Sequence, residues 1–232
     1  MRNTLLPSLA VAGLAGLLSA CASTSYLRPG FRLAEVQNLV FTPPMSAVAI
    51  VRTGYHTVVD SQATATSVSL LRKTLVRHRF QLGLQQELAV PDSLRPAARQ
   101  EIYRAVEGIK THPRLAGGAQ LPVLDYVLDK QHQRYALVTA AAGFTQEVTK
   151  YDIRRTQSGN RSLPAAVRTP GPGPVVAHAK SNIYLFLYDR ERQAIVYYTS
   201  TVPTEEHNPL DEASLEGQFS QMLRKDFPVV PH

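Results

Sequence analysis

Asn182–Tyr188 (NIYLFLY) and Ala194–Val202 (AIVYYTSTV) constrain this chain more than any other stretch. Two runs rich in aromatic and β-branched residues, joined by the polar segment Asp189-Arg190-Glu191-Arg192-Gln193, describe a β-hairpin. Side chains of this kind need neighbouring strands to pack against. Ser46–Arg52 (SAVAIVR) and Tyr135–Ala141 (YALVTAA) supply candidates: both are continuous apolar runs without alternation, the texture of a strand buried on its two faces.

Elsewhere the apolar spacing changes to three and four. Ala65, Val68, Leu71 and Leu75 give Ser61–Arg79 the stripe of a helix lying on a sheet, with Asp60 or Ser61 as its cap. Arg72, Lys73, Arg77, His78 and Arg79 crowd its last two turns, where cations interact well with the helix dipole. Phe80, Leu82 and Leu84 then alternate and predict a short strand. Pro96 opens a second helix to about Lys110, with Ala98, Ile102, Ala105, Val106 and Ile109 inward, stopped by His112-Pro113 and Gly117-Gly118. Leu124, Val127 and Leu128 predict a third helix from Pro122 to about His132. Val123-Leu124 and Tyr126-Val127-Leu128 also pass as strand, but Asp129–Gln133 is a poor strand sequence. Gly143 marks a bend before an extended Phe144–Tyr151, and Ser214–Asp226 closes the chain as a helix presenting Leu215, Phe219, Met222 and Leu223. The element order predicts one α/β domain, a mixed β-sheet flanked by helices and ending in the hairpin and a C-terminal helix.

The amino terminus has a different character. Arg2, an apolar stretch from Leu5 to Leu18, and Leu18-Ser19-Ala20-Cys21 resemble the signal peptide and lipobox of bacterial lipoprotein precursors. The resemblance implies cleavage before Cys21 and a diacylglyceryl group on its sulfur, with acylation of the new amine. The alternatives are a soluble secretory signal or a retained amino-terminal helix, yet the apolar run is short for a membrane span. Cys21 is the sole cysteine, so no intrachain disulfide forms, and lipidation removes what would otherwise be a free thiol in an oxidising compartment. A diacyl anchor already meets the need for more than one chain in stable membrane attachment. Ala22, where families that sort by this position use aspartate for inner-membrane retention, favours the periplasmic side of the outer membrane.

The expected organisation is therefore signal peptide 1–20, lipidated terminus and tether 21–44, folded domain 45–227 and tail 228–232. The tether is read from Ser23-Thr24-Ser25, Pro29-Gly30 and Pro43-Pro44. Residues 154–180, with Arg154, Arg155, Arg161 and Arg168 among Gly and Pro, predict a long, mobile, basic loop. Removing residues 1–20 takes one of the 25 Lys+Arg, Arg2, and leaves 24 against 18 Asp+Glu. Export argues against nucleic acid as the partner of this modest positive excess, and leaves anionic headgroups or acidic envelope polymers, or simply a solvated surface.

The run Ser46–Arg52, the helix with Leu70-Leu71-Arg72-Lys73-Thr74-Leu75, the hairpin over 182–202 and the closing helix together resemble a group of envelope lipoproteins. Their folded part is similar to the amino-terminal domain of the Tol-Pal translocation protein. Penicillin-binding-protein activator lipoproteins and the curli secretion lipoprotein belong to this group. The resemblance spans about residues 45–226 and implies an envelope role, but no motif carries site residues across. Amphipathic membrane hairpins of the curli secretion type are not evident.

Chemical motifs are sparse. No Gly-x-Ser-x-Gly elbow, His-Glu-x-x-His or phosphate loop occurs, and His56, His78, His112, His132, His178, His207 and His232 are each isolated, away from metal-ligand spacing. No catalytic, metal or cofactor residue is assigned, and Cys21 is the one site residue. His56 with Asp60 offers a dyad, but loop and capping roles fit these residues better. Glu205-Glu206-His207 with Asp211-Glu212 is better read as complementing a helix start than as a cation site. Tyr184, Tyr188, Tyr197 and Tyr198 suit packing more than a glycan face. The leading functional expectation is a non-enzymatic, membrane-anchored lipoprotein that docks on an envelope protein and shows one exposed apolar patch rimmed by charge. A glycan or small-ligand binder and an envelope hydrolase are the alternatives.

Overall fold

The computed structural model describes residues 22–52, 56–111, 118–146, 178–202 and 206–227. Eight strands form one mixed sheet: β1 (Ala22–Leu27), β2 (Leu39–Phe41), β3 (Met45–Arg52), β4 (His56–Val59), β5 (Leu84–Glu87), β6 (Tyr135–Gln146), β7 (Ala179–Asp189) and β8 (Ala194–Val202). The order β1-β8-β7-β6-β2-β5 runs from edge to edge, with β3 and β4 extending from the same side of β6 as β2. Helices α1 (Ser61–Arg77) and α5 (Glu212–Leu223) cover one face; α3 (Arg95–Thr111) and α4 (Pro122–Lys130) cover the other. A single turn, α2 (Arg79–Leu82), links α1 to β5.

Coverage on both faces explains the unbroken apolar runs. Along β7, Tyr184, Phe186 and Tyr188 face α3 and α4, whereas Ile183, Leu185 and Leu187 face α1 and α5. β8 departs from strict alternation. Leu187 pairs with Tyr197 but Tyr188 pairs with Ile195, so Val196 is a bulge, and Val196 and Tyr197 consequently both enter the α1/α5 layer.

The hairpin, α3, α4 and the closing helix occur where the sequence predicts them, and the five apolar residues expected inside α3 are all buried. Three expectations are corrected. Residues 22–44 are not a tether, and the fold does not start near Met45. β1 pairs with β8 from Ala22↔Val202 to Leu27↔Tyr197, Tyr26 stacks on Tyr198 with ring centroids 5.4 Å apart, and β2 inserts beside β6. The Ser/Thr-rich strand is short and lies on an edge, where apolar patterning is not required. Phe80–Leu84 is not a strand: Phe80 belongs to the α2 turn, which ends at Gly83 with φ of 66° before β5 begins. Gly143 does not bend the chain, because β6 runs through it to Gln146.

The buried face of α1 is also more polar than its apolar stripe suggests. Ala63, Ser67, Leu71, Thr74 and Leu75 are buried, Val68 is half-buried and Ala65 is exposed. Antiparallel pairing of β3 with β4 begins at Ala49, so the Val48 amide turns instead to the Thr64 hydroxyl (3.1 Å), while the Ser46 hydroxyl bonds that of Ser67 (2.9 Å). These contacts satisfy buried polar groups and fix α1 on the sheet.

Candidate functional site

Three surface regions are built by this fold. The first is the end of the sheet where Ala22 pairs with Val202, shared by the last residues of β6 and the first of β7. Cys21, the predicted lipidation site, and the leader 1–20 lie outside the described residues, but Cys21 immediately precedes β1. Beside this end, Thr24, Lys110, Lys180, Tyr184, Tyr198 and Ser200 line a hollow of about 230 Å³. Tyr184 and Tyr198 are nevertheless almost fully buried, and burial pushes both phenols up from their ordinary value. Tyr188 is packed on the same face, whereas Tyr197 packs on the other and donates to Asp226 (3.0 Å). The four tyrosines are thus core residues.

The second region is the opposite corner. β5 is the far edge from β1, and its first residue, Leu84, pairs with Leu39 at the end of the sheet where β6 begins. Five strand spacings and about six residues along the strands separate that corner from Ala22, on the order of 30 Å. Here Phe80 is 90% exposed and Val76, one turn earlier, is 55% exposed. Arg77 and Arg79 flank them. Arg79 turns back to the Leu84 and Gln85 carbonyls, at 3.1 and 2.6 Å, and so holds the α2 turn against β5.

The cations of α1 are not a free basic patch. Lys73 reaches Glu212 (2.7 Å), Arg77 bridges Glu212 and Glu216 (both 2.8 Å), and Arg72 pairs with Glu87 (2.8 Å). His78 packs on Phe219 and lies 2.6 Å from Glu216. Lys73 and Arg77 hold the Glu212 carboxyl below its ordinary range. Asp211 caps α5 through the Ser214 amide (2.9 Å), and Asp60 caps α1 through the Ala63 amide (2.7 Å). Capping is therefore what Asp60 does, and Asp211-Glu212 completes a helix start and a cross-helix network. Glu205, His112, His232 and residues 154–177 lie outside the described residues. Among the described residues no group of three or more His, Cys, Asp or Glu side chains could hold a metal.

The third region went unnoticed in the sequence. Pro43-Pro44 separates β2 from β3, which lie end to end along the same side of β6. Proline has no amide proton for a ladder, so pairing lapses at this point. The outer strands belong to separate halves: β5 pairs with β2, and β4 with β3. The gap between them is a notch of about 510 Å³ lined by Pro43, Pro44, Met45, Val59, Val68, Tyr103 and others, with Arg72, Arg95, Arg99 and Glu87 supplying its charge. It adjoins a smaller apolar pit of about 80 Å³ beneath α3. A diproline between apolar runs was the available signal, but it reads equally as a linker.

No family model matches the chain, and no curated protein matches it. Among solved structures it is similar to the PelC dodecamer from Paraburkholderia phytofirmans, at 10% identity and a TM-score of 0.40, over 90% of this chain and 99% of that one. It is also similar to a DUF4136 family protein from Bacteroides thetaiotaomicron, at 7% identity and a TM-score of 0.31, over 86% and 94% of the two chains. At these values the likeness is too slight to bear on function.

Proposed function

We propose that the protein is a lipid-anchored bacterial envelope lipoprotein, held through Cys21 on the periplasmic side of the outer membrane, whose domain docks on another envelope protein. Its role in this reading is that of an assembly or activation accessory rather than an enzyme. The observation that carries the docking part is the exposed Val76/Phe80 corner, set diagonally across the sheet from Ala22. A 90% exposed phenylalanine leaves most of its ring in water, and removing it into a partner's pocket would contribute roughly 2 kcal/mol. Arg77 and Arg79 rim this apolar surface as the docking reading requires.

The anchor supports the same orientation. Because Cys21 adjoins β1 without an intervening tether, an acylated Cys21 would bring the Ala22 end of the sheet to the bilayer and turn the Phe80 corner towards the periplasm. No helix among the described residues is long and apolar enough to cross a membrane. A photo-crosslinking side chain at position 80 in intact cells should capture one dominant envelope protein, and one at position 126, also exposed, should not. Equal capture at both positions, or none at position 80, contradicts the docking surface. Cys21→Ser tests the address separately: the variant should leave the membrane fraction after a salt wash.

A further inference from the structure

We propose that the notch at Pro43-Pro44 is a binding site for a small amphiphilic anion, a short acyl chain carrying a carboxylate or phosphate. Pro43, Met45, Val90, Ala98, Ile102 and Leu124 make the pit apolar. Arg95 and Arg99, one helical turn apart on α3, line both the pit and the wider notch, so they stand where the two cavities meet. Arg72 joins them in the notch from α1, on the opposite layer. Against these three cations the notch holds one carboxylate, Glu87, which Arg72 engages at 2.8 Å. Arg95 pairs with Asp92 (2.8 Å), itself 86% exposed in its side chain, while Arg99 has no ion pair among the described residues. The site is therefore cationic at its mouth and apolar behind.

Thr42 also lines the pit, but its hydroxyl oxygen is itself sealed from solvent and is not offered to a ligand. An acyl carboxylate or phosphate instead neutralises Arg99 at the mouth, and its chain fills apolar space that water occupies poorly. The proposal is separate from the docking corner and the anchor, and stands or falls without them.

The test is calorimetric titration of the mature chain with octanoate, octyl phosphate, octanol and inorganic phosphate. Both octyl anions should bind saturably. Octanol, which lacks the charged hydrogen bond, and inorganic phosphate, which lacks the apolar chain, should each bind about tenfold or more weakly. Preference between octanoate and octyl phosphate distinguishes a free fatty acid from a phospholipid-like source. Arg99→Ala, at an exposed position, should lower octanoate affinity about tenfold without shifting the thermal midpoint. Octanol binding as well as octanoate, no binding of either octyl anion, or an unaffected Arg99→Ala variant would overturn the proposal.

Discussion

Gly143 shows how narrowly a position can be specified by its neighbours. It pairs with Val48 on one side and Ser181 on the other, and a Cβ built there would lie 2.5 Å from the Lys180 carbonyl oxygen and 3.2 Å from Pro209. Backbone cannot yield as a flexible side chain can. Gly143→Ala should destabilise the fold by about 1–3 kcal/mol, read by urea unfolding, because two strands must part to admit the methyl group. Asp189 is a second such position. It is fully buried at the hairpin turn, where Arg134 engages it with Nε and Nη2 at 3.1 and 3.0 Å and the Glu191 amide donates to it at 3.0 Å. Arg134→Ala leaves a buried carboxylate short of its main counter-charge, and should cost about 3 kcal/mol in the same assay. The turn was legible as a polar five-residue link, but the importance of Asp189 was not. Its burial depends on Arg134, which precedes a strand 55 residues away.

Among the secondary-structure elements, β1 carries the most direct test. If residues 22–44 were a tether, a chain shortened to begin at Met45 would keep its cooperative unfolding. With β1 and β2 in the sheet, that chain exposes the edges of β8 and β6 together, and should lose the cooperative transition in circular dichroism. The α1/α5 contact makes a different prediction. Lys73 and Arg77 hold the native Glu212 carboxyl below its ordinary pKa of 4.5. A carboxyl depressed on folding binds fewer protons in the native state, so its stabilisation is complete above the unfolded value and fades as pH falls through the lower native one. Thermal midpoints measured from pH 7 down to pH 3 should therefore decline less steeply in Glu212→Gln than in the parent chain.

Across the entire protein, an acyl anchor at Cys21, as proposed above, would combine with the sheet to set an orientation. Because lipidation would consume the sole native cysteine, a single introduced thiol reports one place. A fluorophore at position 24, on β1, should be quenched by headgroup-nitroxide lipids in vesicles carrying the lipidated protein. One at position 85, on β5, should stay bright. Equal quenching at both positions would mean that the domain lies flat or tumbles freely on the surface.

The α/β class, the hairpin, α3, α4 and the closing helix were readable from residue order, because each depends on periodicity or capping within a dozen residues. Ile102, Leu124, Phe186 and Phe219 are inside for the reason their spacing indicates. The sheet membership of Ala22–Leu27, the close approach at Gly143 and the notch beside Pro43-Pro44 belong to another category. Each arises where segments distant in the chain meet, and its energy comes from pairing or excluded volume between them. Diproline between apolar segments is a linker in one tertiary setting and the wall of a cavity in another, and only the strands placed on either side of it decide which.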